Sequence, residues 1–258
     1  MSTQLELYTF TISHFSEKAR WALELEGIPY EEKRLLPGLH PLTTRRWAPL
    51  NSVPLLRHGK LIVQGSGRIL RALPHHFGAR RLVPEPSCAE ACDEIETLAD
   101  RSFGRGLQQI AYGELLQHRA EMIQLWSLQG PKWAKAFYFF TYPFVAAIVK
   151  RMYRPVPSEV ERAKAAFRLA LDRTDELLGR SPYLLGSSLT RADITVAALL
   201  APFLRPPEHP VAFPELPPGM QAFSDEFADG ATARHVRRLY REYRRTGVFP
   251  SHDRSIHP

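Results

Sequence analysis

Cysteine is scarce in this chain of 258 residues, which contains two, Cys88 and Cys92. So few cysteines exclude a disulfide framework, and their separation of four residues does not form a redox Cys-x-x-Cys pair. The spacing predicts two small, buried or half-buried side chains on one face of a helix. The sequence therefore offers no redox dithiol, and no metal site is expected.

The sequence predicts neither a membrane-spanning segment nor a secretory leader. No uninterrupted apolar run reaches the ~20 residues that span a bilayer. The first residues form a polar strand without the basic region and apolar core of a secretory leader. With 44% hydrophobic residues, the chain can build a sizeable core. We expect a cytoplasmic protein of one or two domains.

Acidic residues are outnumbered, because 34 Lys and Arg against 27 Asp and Glu give a formal net charge of +7. Arginines concentrate near the C-terminus, where they alternate with apolar residues at helical spacing. This pattern predicts a helix with a solvated basic face. No recognition motif accompanies the arginines, so nucleic-acid binding is not expected. They are Arg234, Arg237, Arg238, Arg241, Arg244 and Arg245.

A proline-led hairpin is the most informative local pattern. Pro54 directly precedes two short apolar strands, residues 55–56 and 61–63, joined by a turn at 58–60. Proline cannot donate to a strand ladder, so here it indicates a fixed turn, of which a cis X-Pro bond is one form. Such a turn exposes backbone, here that of Val53, to a ligand.

Ser66 stands where the second of these strands ends and a short helix over residues 68–73 is predicted. The N-terminus of a helix offers free amide hydrogens and a positive partial charge. This junction therefore suits a carboxylate.

The chain up to about residue 75 resembles the thioredoxin-like half of a cytosolic glutathione S-transferase. Each piece of the pattern is common alone, but the order and the spacing are specific. The pieces are a strand at 5–8, Ser13-x-x-Ser16 with Lys18 and Arg20, residues 22–31, Pro49, Val53-Pro54, and Ser66 with Ile69.

The predicted fold class is α/β plus all-α. A connector rich in Pro, Gly and His lies near residues 74–88, and after it helical periodicity takes over. The resemblance implies a thioredoxin-like βαβαββα domain over residues 1–77 and a linker over 78–88. An all-helical C-terminal domain would then occupy residues 89–258.

Three helical stretches are predicted in the second domain. Residues 89–129 form one helix or two, with three glycines as candidate breaks. A Ser-x-x-Glu capping box at residues 158–161 opens a helix that stops near Gly179. A Thr-x-x-Asp box at residues 190–193 opens another helix and is similar to the folding box of the family's helical domain.

Residues 133–152 are strongly apolar, are interrupted by Pro143 and have basic residues at both ends. The segment lies beyond the family's usual helical pattern. Three interpretations stay open: a core or dimer-interface helix, the wall of a hydrophobic substrate pocket, and a membrane-surface helix with basic anchors.

The resemblance implies a catalytic hydroxyl at the start of the first helix. A thiol of ordinary pKa, ~8.5, is mostly protonated at neutral pH, whereas the thiolate is the nucleophile. A hydroxyl that donates to the sulfur and the positive end of the helix both stabilise the thiolate. Ser13 takes the family's Ser or Cys position, with a simple N-cap as its alternative. Ser16 is the next hydroxyl and Tyr8 a less favoured third.

Neither serine is a cysteine, which disfavours a mixed-disulfide mechanism. The resemblance further implies that the backbone of Val53, before Pro54, pairs with the cysteinyl part of glutathione as an added strand. Ser66 would take the γ-glutamyl carboxylate. One of three basic residues would meet the glycine carboxylate, namely His40, Arg45 or Arg46.

One position departs from the family's pattern. The family usually has an acidic residue or Gln immediately before its serine, in contact with the γ-glutamyl amino group. Here Gly65 takes that position and Gln64 lies one step earlier. A lost charge-assisted hydrogen bond costs ~1.5–3 kcal/mol, which corresponds to roughly tenfold to a hundredfold in affinity.

The function that the resemblance implies is detoxification by a homodimeric transferase with glutathione as co-substrate. The glutathione thiolate would attack a hydrophobic electrophile. Because Gly65 offers no side chain to the ligand, the alternative is a non-catalytic binding or scaffold protein with weakened affinity for glutathione.

Overall fold

The N-terminal part of the chain, residues 6–77, forms a single mixed sheet with three helices. The computed structural model describes residues 4–244. The strands are β1 (Glu6–Thr9), β2 (Glu31–Arg34), β3 (Leu55–His58) and β4 (Leu61–Gln64), in the sheet order β2-β1-β3-β4. β1 and β2 are parallel, and the β3–β4 hairpin adds antiparallel to β1. The helices are α1 (His14–Leu25), α2 (Pro41–Thr44) and α3 (Ser66–Phe77).

Helices dominate the rest of the described chain. A 3₁₀ turn (Pro86–Cys88) precedes α4, and a π-helical segment (Asp100–Gly106) follows it. The α-helices are α4 (Ala89–Ala99), α5 (Leu107–Leu115), α6 (Arg119–Ser127), α7 (Ala134–Tyr153), α8 (Pro157–Leu178), α9 (Arg191–Leu204), α10 (Pro218–Asp225) and α11 (Ala231–Tyr243). The predicted fold class, α/β followed by all-α, is confirmed. The division at residues 77 and 89 stays a prediction, although α3 ends and α4 begins there.

Helix α9 lies at the centre of the core. Nearly all of its side chains are buried, as expected for a helix that is apolar all round. It packs against α1 from the sheet-bearing part and against α4 and α11 from the helical part. Trp21 on α1 also meets Tyr240 on α11, with ring centroids 4.4 Å apart. The sheet-bearing half and the helical half therefore share one core.

The Thr-x-x-Asp box before α9 is confirmed. Oδ2 of Asp193 accepts hydrogen bonds from the backbone N–H and the hydroxyl of Thr190, both at 2.9 Å. Oδ1 accepts from the backbone N–H of Leu184 at 2.9 Å. The box thus ties the loop before α9 to the first turn of the helix.

Two predicted helix limits were wrong. Residues 74–77, assigned to the connector, belong to α3, which contains Pro74 and ends where Gly78 adopts a left-handed conformation. The helix after residue 156 begins at Pro157, because proline has the φ that a first helical position needs and lacks only an N–H that would be unbonded there. Val156 is its N-cap, so Ser158 lies inside the helix and no side chain caps it.

The glycines predicted as helix breaks have other roles. Gly104 and Gly106 lie in the π-helical segment and Gly113 lies inside α5. A Cβ on residue 104 would stand 2.4 Å from the ring of Phe15, so Gly104 lets α1 approach closely. The predicted burial of the cysteines is confirmed, because Cys88 is half-buried and Cys92 is buried, and both thiols are free. Only Cys92 lies in α4, whereas Cys88 ends the 3₁₀ turn before it.

The basic helix near the C-terminus was predicted only in part. Arg234 and Arg241 are exposed on α11 as expected. Arg244 is buried instead, where it donates to Glu17 at 2.7 Å and also pairs with Glu24. Arg245 lies outside the described residues.

Candidate functional site

Three of the predicted segments meet at one end of the strands, where β1 and β4 end and β3 begins. The register pairs Tyr8 of β1 with Leu55 of β3, and Leu55 with Gln64 of β4. One step further along, Pro54 lies beside the end of β1 and also beside Gly65, whose N–H donates to the Pro54 carbonyl at 2.9 Å. Neighbouring strands are about 4.8 Å apart. The starts of α1 and α3 and the loop before β3 therefore lie side by side.

The loop before β3 presents unused backbone. The Val53–Pro54 bond is cis, and Pro54 is buried. Neither the N–H nor the carbonyl of Val53 takes part in a hydrogen bond within residues 4–244. Both backbone groups are free to pair with an extended peptide, in the manner of an added strand.

Gln64, predicted as a glutathione ligand, holds this loop in place instead. Its side chain is buried, and Nε2 donates to the carbonyls of Leu50 at 2.6 Å and of Ser52 at 2.8 Å. An amide with both of its N–H groups donated to the backbone has no donor left for a ligand. Gln64 thus positions the loop that carries Val53 and Pro54, and its role as a glutathione ligand stays a prediction.

Gly65 and Ser66 form the junction between β4 and α3. Gly65 has a φ of +98°, a backbone conformation that residues other than glycine rarely adopt. Open space surrounds it, since a Cβ there would meet nothing within 4 Å. The hydroxyl of Ser66 has no hydrogen-bond partner among the described residues, and the first amides of α3 lie beside it. The sequence predicts a carboxylate site at this junction.

Ser13 is the N-cap of α1, and its Oγ accepts from the N–H of Ser16 at 3.2 Å. Accepting that bond uses a lone pair and leaves the O–H free to donate. The cap and the predicted donation to a sulfur are therefore compatible. Ser16 was predicted as a second catalytic hydroxyl, but it is 0% exposed and its Oγ accepts from Phe10 N–H at 3.3 Å. An enclosed hydroxyl cannot touch a substrate.

Tyr8 is committed elsewhere. Its hydroxyl donates to Glu6 Oε2 at 3.0 Å. Burial and the neighbouring carboxylate both raise the pKa of Tyr8. It therefore remains protonated and bonded to Glu6, and Ser13 is the candidate hydroxyl that remains.

The three basic candidates for the glycine carboxylate differ in their contacts. His40 packs edge-on against Phe10 with ring centroids 4.8 Å apart, and its Nε2 lies 3.2 Å from the Asn51 carbonyl. Burial lowers the pKa of His40, so the ring is neutral at pH 7 and attracts a carboxylate weakly. Arg45 donates to Asn51 Oδ1 at 3.0 Å, and Arg46 is exposed. His40 and Arg45 thus brace the loop that carries Val53.

Two buried basic residues of α1 shape the site and were not predicted to do so. Arg20 donates to the Phe10 carbonyl at 2.8 Å and to Glu32 at 2.6 Å, which fixes the loop before Ser13. Lys18 donates to Asp100 Oδ1 at 3.1 Å. The sequence indicated them only as part of the pattern that resembles the family, and their partners depend on tertiary packing.

Asp100 reaches the start of α3. Its Oδ2 lies 3.5 Å from the position that a Cβ on Gly67 would occupy, and its side chain is 35% exposed. The side chain of Asp100 therefore lies beside the site predicted for a ligand carboxylate. Asp100 belongs to the π-helical segment, which is far from Ser66 in the sequence.

A small cleft adjoins the loop before Ser13. Residues 10–12 and 34–37 line one side, and residues 125–126 and 128–131 line the other. Its walls are mostly apolar and include Trp126.

Comparison with protein families matches both halves of the chain. The glutathione S-transferase N-terminal domain matches residues 7–81, and the glutathione S-transferase C-terminal domain matches residues 157–226. The chain belongs to the cytosolic glutathione S-transferase superfamily. The predicted family is therefore confirmed. Residues 82–156 of this superfamily member, which include α7, lie outside both matched ranges.

Individual transferase relatives are distant. A relative named glutathione S-transferase 1, from Dianthus caryophyllus, is 34% identical over 86 residues, which is 32% of this chain and 38% of that protein. The match thus spans well under half of the relative.

Solved structures share the fold. Beta-etherase LigF from Sphingobium sp. strain SYK-6 aligns with a TM-score of 0.61 at 18% identity, over 90% of this chain and 98% of its own. A glutathione S-transferase of Ceriporiopsis subvermispora, solved in complex with glutathione, aligns with a TM-score of 0.61 at 15% identity, over 96% and 99%. At such identities the likeness shows the transferase fold alone.

Within residues 4–244 no helix is both long and apolar enough to cross a membrane. The same residues contain no group of three or more His, Cys, Asp or Glu side chains placed to hold a metal ion.

Proposed function

We propose that this protein is a glutathione transferase in which Ser13 activates the glutathione thiol for attack on an apolar electrophile. The observation that carries the proposal is the unpaired backbone of Val53, before the cis Pro54, between the starts of α1 and α3. Family membership supports glutathione as the co-substrate.

Glutathione fits this edge when it runs across the strands. Its cysteinyl backbone pairs with Val53, and its γ-glutamyl carboxylate lies on Ser66 and the first amides of α3. The start of α1 is one strand away from Val53 in the opposite direction, on the β1 side. The cysteinyl sulfur then points to Ser13.

The missing acidic residue at position 65 has a substitute in this chain. The γ-glutamyl amino group is a cation and needs an anion beside the start of α3. Asp100 provides one, because its Oδ2 lies 3.5 Å from the position that a Cβ on Gly67 would occupy, and Arg71 Nη1 lies 3.3 Å from the same position. Lys18 holds Asp100 there through the 3.1 Å hydrogen bond at Oδ1.

The catalytic step needs a thiolate. The O–H of Ser13 donates to the sulfur, and the positive end of α1 adds to the stabilisation. Lowering the thiol pKa by about 2 units raises the thiolate fraction at neutral pH by an order of magnitude or more. The apolar walls of the small cleft beside residues 10–12 offer contacts for an electrophile placed next to the sulfur.

Replacement of Ser13 tests the assignment. We expect Ser13→Ala to lower kcat/KM for conjugation of an activated aryl halide by roughly tenfold to a hundredfold, because the donor to the sulfur is lost. The pKa of bound glutathione, followed by the ultraviolet absorbance of the thiolate, should rise in parallel.

Ser13→Gly is the matched control for the helix cap, because glycine at an N-cap costs only a few tenths of a kcal/mol relative to serine. Both variants should lose activity equally if the hydroxyl acts on the sulfur. Unchanged turnover in both, with an unchanged thiol pKa, would remove Ser13 from the mechanism.

The second candidate is a binding or scaffold protein without catalysis, and Gly65 is the observation that favours it. Calorimetric titration with glutathione separates the two. Absence of heat and of a thermal shift at millimolar glutathione would support the scaffold. The homodimer, the detoxifying role and the cytoplasmic location stay predictions.

A further inference from the structure

Helix α7 has an apolar face that the described chain leaves uncovered. Its buried side packs against α5 and α6 through residues such as Tyr138 and Val145. On the other side, large apolar side chains are 40–79% exposed. These five residues, the exposed face of α7, are Phe139, Phe140, Phe144, Ile148 and Met152.

This face is continuous and free of charge along most of its length. Between residues 136 and 149 the helix has no charged side chain. At a rise of 1.5 Å per residue this uncharged stretch is about 21 Å long. Trp133 and Val156, just beyond the two ends of the helix, are exposed as well. A contiguous patch of this kind marks an interaction surface rather than scattered surface hydrophobics.

All charges on α7 have the same sign. Lys135 lies near its start and Lys150 and Arg151 near its end, and the helix contains no Asp or Glu. Arg119 of α6 adds a fourth cation, with its guanidinium carbon 4.9 Å from the Phe139 ring centroid. Glu121 is the nearby acid from α6, facing the Tyr142 side.

This charge pattern distinguishes between the possible occupants. In a two-fold symmetric pair of copies the same patch faces itself, so the cations of one copy would meet those of the other. An anionic lipid surface is complementary to both the aromatic face and the cations. A helix that lies in a membrane interface has this composition, with bulky apolar residues on one face and Lys or Arg beside them.

We propose that α7 is a membrane-surface helix that docks this protein on anionic lipid bilayers. Phe140 and Phe144 enter the boundary between headgroups and acyl chains, to a depth of about 5–10 Å. Lys135, Lys150 and Arg151 contact the lipid phosphates. The helix lies on the bilayer and does not cross it, and the docking is independent of the role of Ser13.

Vesicle co-sedimentation of the full chain tests the proposal. The probes are vesicles of phosphatidylcholine alone and vesicles with one third phosphatidylglycerol. We expect the wild type to pellet at least tenfold more with the anionic vesicles and to be released by high salt, because added ions screen the attraction.

The double variant Phe140→Glu/Phe144→Glu should lower pelleting with anionic vesicles at least tenfold. Leu169→Glu is the matched control, because Leu169 is a leucine of α8 that is 70% exposed away from α7. It should pellet like the wild type. Both altered sites are solvent-exposed, and circular dichroism checks that the variants stay folded.

Equal pelleting of the wild type and the double variant would overturn the proposal, as would absence of wild-type pelleting with anionic vesicles. Sedimentation equilibrium without lipid supplies the remaining outcome. If the wild type is a dimer and the double variant a monomer, the exposed face of α7 joins two copies and the membrane proposal is wrong.

Discussion

Helices α1 and α7 both break the rule that charges lie outside and large apolar side chains inside, but they do so in opposite directions. Helix α1 buries Glu17, Lys18 and Arg20 almost completely. Helix α7 exposes Phe140 and Phe144 by more than two thirds. Each departure has a cost unless a partner compensates for it.

The charges of α1 find their partners inside the same chain. Lys18 lies 3.3 Å from Glu96, Arg20 lies 2.6 Å from Glu32, and Glu17 lies 2.7 Å from Arg244. These partners come from three segments far apart in the sequence, namely α4, β2 and the residue after α11, so the pairs join the sheet-bearing and helical parts of the molecule around α1. The apolar face of α7 has no such cover within residues 4–244, and in our proposal a lipid surface provides it.

The largest expected effect is on the charge network. Glu17→Gln leaves Arg244 and Arg20 buried without the carboxylate between them, and breaking a buried pair in this way costs about 3–5 kcal/mol of the free energy of unfolding. Urea denaturation measures the loss. Glu159→Gln, which removes an exposed pair with Arg162, should cost less than about 1 kcal/mol. Equal losses in the two variants would mean that the buried network does not stabilise the fold.

The next effect is a dependence of stability on pH. Burial lowers the pKa of His14 to about 4. Burial alone would raise the pKa of Glu17, but Arg244, His209 and Arg20 outweigh it and lower the pKa to about 2. Between each lowered value and the ordinary pKa, the unfolded chain binds more protons than the folded chain. As the pH is lowered, the free energy of unfolding should therefore fall. His14 accounts for the fall between pH 6.5 and 4, and Glu17 for the fall between pH 4.5 and 2.

His14→Gln should remove most of the pH dependence of the free energy of unfolding between pH 6.5 and 4 and leave that between pH 4.5 and 2 unchanged. Glu17→Gln should remove the dependence between pH 4.5 and 2 and leave the other unchanged. The full His14 contribution is about 3 kcal/mol, from the constant of 1.36 kcal/mol per pKa unit. Urea denaturation at a series of pH values separates the windows. A pH profile that neither substitution alters would contradict the assignment.

The smallest effect belongs to the exposed face of α7. Phe144→Ser removes a large apolar side chain that has few contacts in the folded chain, so the free energy of unfolding should change by at most about 0.5 kcal/mol. Thermal unfolding without lipid is the measurement. A loss of 2 kcal/mol or more would show that Phe144 packs inside the protein and would remove the contrast with α1.

Local chemistry made part of the site predictable. Pro54 fixes a turn and Ser66 begins a helix, and both effects depend on neighbours along the chain. Both residues lie where the sequence predicts them, before β3 and at the start of α3. The hydrogen bonds of Gln64 and Ser16 were not predictable, because their partners, the loop carbonyls and the Phe10 amide, depend on how the loops fold back. Asp100 was not foreseen, since it is about 34 residues beyond Ser66 and approaches α3 only through the packing of the π-helical segment.

The amino-acid order was enough to specify the family, the succession of strands and helices, and the proline-led turn with its neighbouring helix start, because each depends on residues close together in the chain. Tertiary packing decided which polar side chains are free for a ligand and which are bound within the protein. It also decided which side of α7 meets the core, since that depends on the contacts of α5 and α6 and not on the hydropathy of α7, which is apolar nearly all round.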